Sequence, residues 1–280
     1  DEDYLVFYTI FSVCVRSSDV IVLALCLMYN HFHMLIHADS AKQLGEFMDR
    51  FTSWFVREDN SFTGRTGKFF KKNYGSAPKS ESKKIRSCIN YIGNNPVEKH
   101  LCDKAQDYRW GFLAYAVSSH PFSDPIVLRD SSSNMRKVVK EIDEMVRLNL
   151  PLKYMQLRRM FSKLSSREKN QIVDYIIKIY SPFDYDAMLS FYGKYEDMVM
   201  AMESNTGGEY DLTEDYDADS DVAHLEMCGY LSQKMGESYS AGIISLPMEE
   251  RVRMFNELQS HTSATGRQIC RFLHIKSKSK

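Results

Sequence analysis

Two histidines separated by one residue are the first candidates for chemistry in this sequence. His31, Phe32 and His33 lie in an apolar, β-prone run from Leu25 to Ile36, which predicts one or two buried strands. Side chains alternate faces along a strand, so both imidazoles would point the same way and Phe32 into the opposite layer. Two imidazoles about 7 Å apart on one face can converge on a metal ion. An isolated pair is more often two ordinary core or surface histidines, so the motif needs a partner.

A candidate partner lies about sixty residues further on, near the end of a predicted helix. Apolar residues recur at helical spacing between Ser82 and Asn95, and Pro96 is expected to stop the helix there. Tyr91 and Asn95 are four residues apart and would project from one face of the last turn. A phenol and a carboxamide at that spacing could supply a nucleophile and a third metal ligand. The alternative is a half-buried tyrosine beside an asparagine C-cap.

Basic residues are concentrated in the segment that leads into this helix. Between positions 65 and 86 there is one acid, Glu81, and several aromatic residues are interleaved with the bases. The bases are Arg65, Lys68, Lys71, Lys72, Lys79, Lys83, Lys84 and Arg86. Cations for phosphates and aromatic faces for unpaired bases are what single-stranded DNA binding requires. A solvated basic loop has the same composition and is the alternative.

Together these motifs resemble the REP-associated, single-tyrosine transposase family, which belongs to the histidine–hydrophobe–histidine (HUH) endonucleases. The resemblance rests on the order of the His-Phe-His strand, an amphipathic helix, the basic region and the Tyr91–Val97 motif, and it is strongest from Asp3 to about Ala116. Two positions depart from the family pattern. Gly93 replaces a histidine, and Tyr29 replaces a proline.

The resemblance implies a DNA transposase or endonuclease that nicks and rejoins single-stranded or hairpin DNA through a 5′-phosphotyrosine intermediate. Tyr91 would be the nucleophile, and His31, His33 and Asn95 would hold Mg²⁺ or Mn²⁺. The expected DNA-binding residues are Arg65, Lys68, Lys71, Lys72, Lys83, Lys84 and Arg86. Two alternatives stay open: a catalytically inactive, DNA-hairpin-binding remnant of such an enzyme, and a soluble α+β protein with a chance match.

The predicted fold class is α+β. The order helix, strand, strand, helix, hairpin strands within Gly64–Ser80, helix corresponds to a ferredoxin-like antiparallel sheet, and a mostly helical region follows it. The family has a further strand before the first helix. This chain opens at Asp1 with no Met and no room for that strand. We therefore expect an HUH domain that lacks its first strand, in a chain truncated at both ends.

The pattern along the chain predicts five segments. They are the HUH domain over residues 1–117, a linker over 118–133, a helical region over 134–205, an acidic linker over 206–240 and a truncated helix-turn-helix-like unit over 241–280. Ser165 and Glu168 form a capping box that predicts a helix start. The acidic run partly matches a calcium-loop template, but Ser220 stands where that loop needs glycine, which favours a linker.

Composition adds limits on the class of protein. The formal net charge is −1 at pH 7, so overall charge gives no indication of a nucleic-acid partner. The six cysteines are scattered without a Cys-x-x-Cys pair, which fits small core residues in a reducing compartment. No signal peptide opens the chain, and the longest apolar run is too short to span a bilayer. We predict a cytoplasmic monomer or homodimer that does not bind membranes.

Overall fold

The computed structural model describes residues 1–70, 74–204, 218–235, 243, 246–273 and 275. The chain divides into two compact units. The first holds residues 1–58 and the described residues from 68 to 204, and the second holds residues 59–67 and the described residues from 218 onward. Among the described residues, no helix is both long and apolar enough to cross a membrane.

The first unit begins with a helix and a two-stranded antiparallel sheet, followed by two more helices. These elements are α1 (Glu2–Arg16), β1 (Ile21–Leu27), β2 (Phe32–His37), α2 (Ala41–Thr63) and α3 (Ser82–Glu98). The strands pair from Ile21 opposite His37 to Leu27 opposite Phe32, with an irregularity between Val22 and Ala24. The α+β fold class predicted from the sequence is confirmed.

The core of this unit is formed by aromatic side chains of α1 and α2. Phe47, Phe51 and Phe55 of α2 recur at helical spacing and are buried. The ring of Phe7 in α1 lies 4.8 Å from that of Phe51 and 5.2 Å from that of Phe55. Burying one such side chain contributes about 1.5–3 kcal/mol. The aromatic stripe of α2 therefore attaches that helix to α1.

The outer edge of β1, where the family's first strand is expected, is covered by backbone from later in the chain. Leu27 donates its N–H to the carbonyl of Trp110 at 3.0 Å, and Asp184 donates its N–H to the carbonyl of Val22 at 3.1 Å. Isolated bridges join Cys26 to Gly111 and Val22 to Phe183. Because an uncovered edge leaves backbone donors and acceptors unpaired, these loops provide some of the pairing that an additional strand would supply.

The hairpin predicted within Gly64–Ser80 is wrong for the residues described there, since none of them is in a strand. Gly64 and Gly67 have φ of +67° and +100°, in the left-handed region that interrupts an extended chain. Further along, Phe69 and Phe70 pack against Phe55 of α2, with ring centroids 5.1 and 6.2 Å away. Their aromatic character therefore reflects packing on a helix.

The predicted stop of α3 at Pro96 is also wrong, because the helix continues through Pro96 to Glu98. His100 has φ of +55°. Its N–H binds the carbonyl of Val97, and the N–H of Leu101 binds that of Pro96, both at 2.9 Å. This pattern is a Schellman motif. Proline so near the C-terminal end removes one helical hydrogen bond, and the left-handed residue sets the end.

From Ser133 onward the described part of the first unit is mostly helical, as predicted. Its helices are α4 (Ser133–Arg147), α5 (Tyr154–Phe161), α6 (Ser166–Tyr180), α7 (Tyr185–Leu189) and α8 (Tyr195–Glu203). The Ser165–Glu168 capping box is confirmed at the start of α6, where the Ser165 side chain accepts a hydrogen bond from the Glu168 N–H. Helix α1 packs against both α5 and α6, so this helical region packs on the N-terminal elements.

The described helices of the second unit are α9 (Ala218–Met235), α10 (Met248–His261) and α11 (Gly266–Phe272). Met227, Leu231, Leu258 and Ile269 belong to its apolar core. The two helices predicted for a helix-turn-helix-like unit correspond to α10 and α11. Most of the acidic run and the C-terminal residues 276–280 lie outside the described residues. The five-segment division stays a prediction.

Candidate active site

The two histidines sit at the turn between β1 and β2. Met28 donates its N–H to the carbonyl of His31 at 2.9 Å, which leaves Tyr29 and Asn30 as the tip of the hairpin. His31 directly precedes β2, and His33 lies within it, opposite Cys26. Their ring centroids are 4.9 Å apart, in an edge-to-face arrangement. The structure thus brings the two imidazoles together.

Phe32, between the two histidines, points into the opposite layer. Its ring lies 5.1 Å from that of Phe7 in α1 and 6.1 Å from that of Phe51 in α2. The alternation of a strand therefore divides this motif into one apolar anchor and two imidazoles on the other face. The anchor holds the start of β2 against the aromatic core.

Asn30 orients the first imidazole. Its Oδ1 lies 2.5 Å from Nδ1 of His31. An amide oxygen only accepts hydrogen bonds, so this contact places the ring proton on Nδ1 and leaves a lone pair on Nε2. Such a partner is typical of a histidine that binds a metal through its other nitrogen. Sequence reasoning did not assign Asn30 a role, although its position next to the pair was a signal.

Tyr91 faces the histidines from α3. This helix packs against both strands of the sheet, and Tyr91 lies in its buried C-terminal half with 6% of its surface exposed. Its ring centroid is 5.2 Å from that of His33, again edge to face. A strand residue and a helix residue 58 positions apart in sequence thus meet at one site.

Asn95 lies one helical turn after Tyr91 and is almost completely buried, with 1% of its surface exposed. Within the part of the chain that the structure describes, neither its Oδ1 nor its Nδ2 has a hydrogen-bond partner. A buried polar group left without a partner costs about 1–3 kcal/mol of stability. The unsatisfied amide therefore marks a place where a ligand would supply the missing interaction.

The chemistry of these donors fits a divalent metal ion. Two imidazole nitrogens and a carboxamide oxygen form a neutral donor set that leaves other coordination positions for a substrate. The described residues contain no group of three or more His, Cys, Asp or Glu side chains that could hold a metal. The donor set expected here has only two residues of those types, and the unsatisfied amide of Asn95 is the observation that supports the fit.

The predicted DNA-binding cations fall into three groups. Lys83, Lys84 and Arg86 are exposed on the first turns of α3, and Lys68 is exposed ahead of that helix. Lys84 forms an ion pair with Glu81 at 2.9 Å. Arg65 is half-buried and belongs to the second unit. The predicted contacts Lys71 and Lys72 lie outside the described residues.

A segment after α3 supports the strand that leads into the histidine turn. The Tyr108 hydroxyl donates a hydrogen bond to the carbonyl of Leu27 at 2.7 Å, and Trp110 stacks on Tyr4 of α1 with ring centroids 4.5 Å apart. Burial raises the pKa of the Tyr108 phenol. Tyr108 therefore stays a neutral donor that ties this segment to the end of β1.

Comparison with known families gives a match for the N-terminal part of the chain. Residues 1–95 match the model of a family described as Transposase IS200 like. The matched range includes both histidines and Tyr91, and it ends at Asn95. The comparison with curated proteins found no match, and neither did the comparison with solved structures. The family match supports a role in transposition, with DNA as the partner.

Proposed function

We propose, on the basis of the match of residues 1–95 to the IS200-like transposase family model, that this chain nicks and rejoins single-stranded, hairpin-forming DNA through Tyr91. The observation that carries the proposal is the proximity of the Tyr91 phenol to two imidazoles. The Tyr91 ring lies 5.2 Å from His33, and His33 lies 4.9 Å from His31. One turn further along the same helix, Asn95 presents its unsatisfied amide.

Tyr91 acts as the nucleophile of the cleavage step. Its phenolic oxygen attacks the scissile phosphorus and loses its proton to solvent, while the bond from phosphorus to the 3′ oxygen breaks and that oxygen takes up a proton from solvent. The products are a 5′-phosphotyrosine and a free 3′-hydroxyl. Attack by a second 3′-hydroxyl reverses these bond changes and releases Tyr91, so strand transfer needs no nucleotide triphosphate.

His31, His33 and Asn95 are the residues that would hold Mg²⁺ or Mn²⁺. Such an ion, when bound, neutralises charge on the phosphate oxygens and orients the phosphate for attack. An oxygen ligand and a phosphate substrate favour these hard cations. Asn30 supports the set by fixing the tautomer of His31, because a ring proton held on Nδ1 keeps Nε2 available as a ligand.

Lys68, Lys83, Lys84 and Arg86 contribute binding to the DNA backbone. Lys83, Lys84 and Arg86 lie on α3, so these cations and the nucleophile are carried by the same helix, and Lys68 precedes that helix in the sequence. Contacts from exposed lysines and arginines to phosphates carry no sequence information. The proposal therefore assigns these residues to affinity, and assigns bond breaking to the buried half of α3.

The test is formation of a covalent protein–DNA adduct. The full chain is mixed with Mn²⁺ and a labelled single-stranded hairpin, and the products are separated under denaturing conditions. We expect a labelled protein band that Tyr91→Phe abolishes, because the ring stays while the nucleophilic oxygen is lost. Tyr74→Phe, which changes an exposed tyrosine of the preceding segment, should leave the band in place.

The outcomes separate the alternatives. His31→Ala and His33→Ala should also abolish the band, with slight recovery at high Mn²⁺ concentration, because they remove metal ligands. An adduct that forms equally well with Phe at position 91 would assign the nucleophile to another residue. Tight hairpin binding without any adduct would favour the second candidate, a binding protein without chemistry.

A further inference from the structure

The nucleophile-bearing helix has a second buried face, and it is covered by residues well beyond the family match. Asn90, Gly93 and Asn94 recur along α3 at the spacing of one buried helical face, and the exposed Arg86 lies one turn before Asn90 on the same side. Tyr91 and Asn95 lie on a neighbouring face, about 100° further around the helix axis. Helix α8 packs against α3. Its residues lie about a hundred positions after Tyr91 in the sequence.

Two polar contacts join these segments. The Tyr192 hydroxyl, just before α8, lies 2.7 Å from Oδ1 of Asn90 and 3.0 Å from the carbonyl oxygen of Arg86. At the other end, Nδ2 of Asn94 donates a hydrogen bond to the carbonyl of Met202 at 2.5 Å. The contacts are separated by about one turn of α3, so they restrain rotation of the helix about its axis as well as its position.

Gly93 allows the close approach between these two contacts. A Cβ atom built at Gly93 would lie 2.7 Å from Sδ and 3.0 Å from Cε of Met202. Met202 is 1% exposed, so its thioether lies buried against the backbone of α3. Glycine inside a helix costs about 1 kcal/mol relative to alanine. Packing therefore explains why Gly93 stands where the family pattern has histidine, because a histidine ring would occupy the space of Met202.

We propose that residues 192–203, here called the clamp, position Tyr91 for attack by fixing the rotation of α3 within the same chain. Side chains extend about 5–6 Å from a helix axis, so a 10° rotation of α3 moves the Tyr91 ring by about 1 Å. A displacement of that size can lower a reaction rate by about a hundredfold. Tyr192 and Asn94 are then positioning residues, which act through the helix without contacting the reacting atoms.

This inference rests on the proposed function, because it concerns the position of the proposed nucleophile. It also assigns a role to part of the region after residue 133, to which neither the sequence motifs nor the family match gives a function. Of the residues involved, only those of α3 lie inside the matched range. The clamp itself lies outside it.

The experiment compares two tyrosine hydroxyls of the helical region in the full chain. Tyr192→Phe removes the contact to Asn90. Tyr175→Phe is the matched control, because it removes a tyrosine–carboxylate hydrogen bond, from Tyr175 of α6 to Asp143 of α4. Three quantities are measured: the single-turnover rate of adduct formation at saturating hairpin DNA with Mn²⁺, the dissociation constant for that DNA, and amide hydrogen exchange along α3.

We expect Tyr192→Phe to lower the rate at saturating DNA about tenfold while the dissociation constant stays within twofold. Amide hydrogen exchange along α3 should be faster in Tyr192→Phe than in the unmodified chain. In Tyr175→Phe the exchange rates along α3 should be unchanged. An unchanged rate, or an equal loss in both variants, would overturn the clamp. If the unmodified chain forms no adduct, the proposed function is wrong, and that result does not by itself test the clamp. In that case amide hydrogen exchange along α3 is the remaining test of the clamp, and equal exchange rates in both variants would overturn it.

Discussion

Asn94 and Asn95 are adjacent, identical in type and both buried, yet the structure treats them in opposite ways. Asn94 is 8% exposed and Asn95 is 1% exposed. The amide of Asn94 donates to the carbonyl of Met202. Among the described residues, the amide of Asn95 has no hydrogen-bond partner for either of its polar atoms. One asparagine completes the packing of two helices, and the other presents an unsatisfied group one helical turn after Tyr91.

This difference shows how a helix can serve stability and chemistry on neighbouring faces. Burial alone does not separate the two roles, because both side chains are inaccessible. Hydrogen bonding does separate them, since an unsatisfied buried amide lowers the stability of the free protein by about 1–3 kcal/mol. A ligand that binds the amide removes this cost. The face of α3 that carries Asn94 is therefore complete in the free protein, whereas under the proposed function a bound ligand would complete the face that carries Asn95.

Among the substitutions that test this comparison of the two asparagines, Asn95→Leu is expected to have the largest effect. Asn95→Leu removes the proposed oxygen ligand, so Mn²⁺ affinity and the rate of adduct formation at limiting Mn²⁺ should fall at least about tenfold, though less than in His33→Ala. The free energy of unfolding without metal should stay the same or rise by about 1 kcal/mol, because an unsatisfied polar group is replaced by an apolar one. Metal titration and urea unfolding measure the two effects. A marked loss of stability with unchanged Mn²⁺ affinity would make Asn95 a structural residue.

Asn94→Leu should give the opposite result. The substitution leaves the buried carbonyl of Met202 without its side-chain donor, so the free energy of unfolding should fall by about 1–3 kcal/mol. Affinity for Mn²⁺ should stay within twofold, since the two histidines and Asn95 are unchanged. The same titration and unfolding measurements apply. If both asparagine variants lost Mn²⁺ affinity equally, the division of α3 into two faces would be wrong.

The smallest effect is expected from substitutions in the exposed N-terminal half of α3. These compare that half of the helix with the buried half that carries the two asparagines. Replacing Lys83 and Lys84 by alanine should reduce the slope of log affinity against log salt by about 1.4, because each contact to a single-stranded phosphate contributes about 0.7. Binding should weaken for all DNA sequences alike. Lys137 and Lys140 are exposed on α4 of the same unit and serve as the control pair. A slope equal to that of the control would assign Lys83 and Lys84 to an ordinary solvated surface.

Local patterns in the sequence were enough to predict most elements of the first unit. The periodic apolar residues of α1 and α2, the alternation around His33 and the capping box at Ser165 each depend on neighbours within one or two turns. The hairpin predicted at Gly64–Ser80 and the helix stop predicted at Pro96 were wrong because they, too, relied on local patterns. There, a left-handed backbone or packing on a distant helix outweighed local preference.

In the candidate site, too, local patterns did not predict contacts between residues far apart in the sequence. Spacing placed His31 and His33 on one face and Tyr91 and Asn95 on another element, but only the folded chain brings Tyr91 next to His33. The roles of these residues stay a proposal. The contact between Gly93 and Met202 had no local signal beyond a glycine inside a helical pattern. Its partner lies more than a hundred residues away.

The backbone bridges on the outer edge of β1 have a consequence for the order in which the protein assembles during synthesis. Val22 receives its partner from Phe183 and Asp184, about 160 residues later in the chain. At about 5–20 residues per second, a ribosome needs about 8–30 seconds to synthesise that interval. During this time the β1–β2 hairpin can form, but its outer edge has no Phe183 to bind. The nascent two-stranded sheet is therefore exposed to pairing with other strands until most of the first unit has been made.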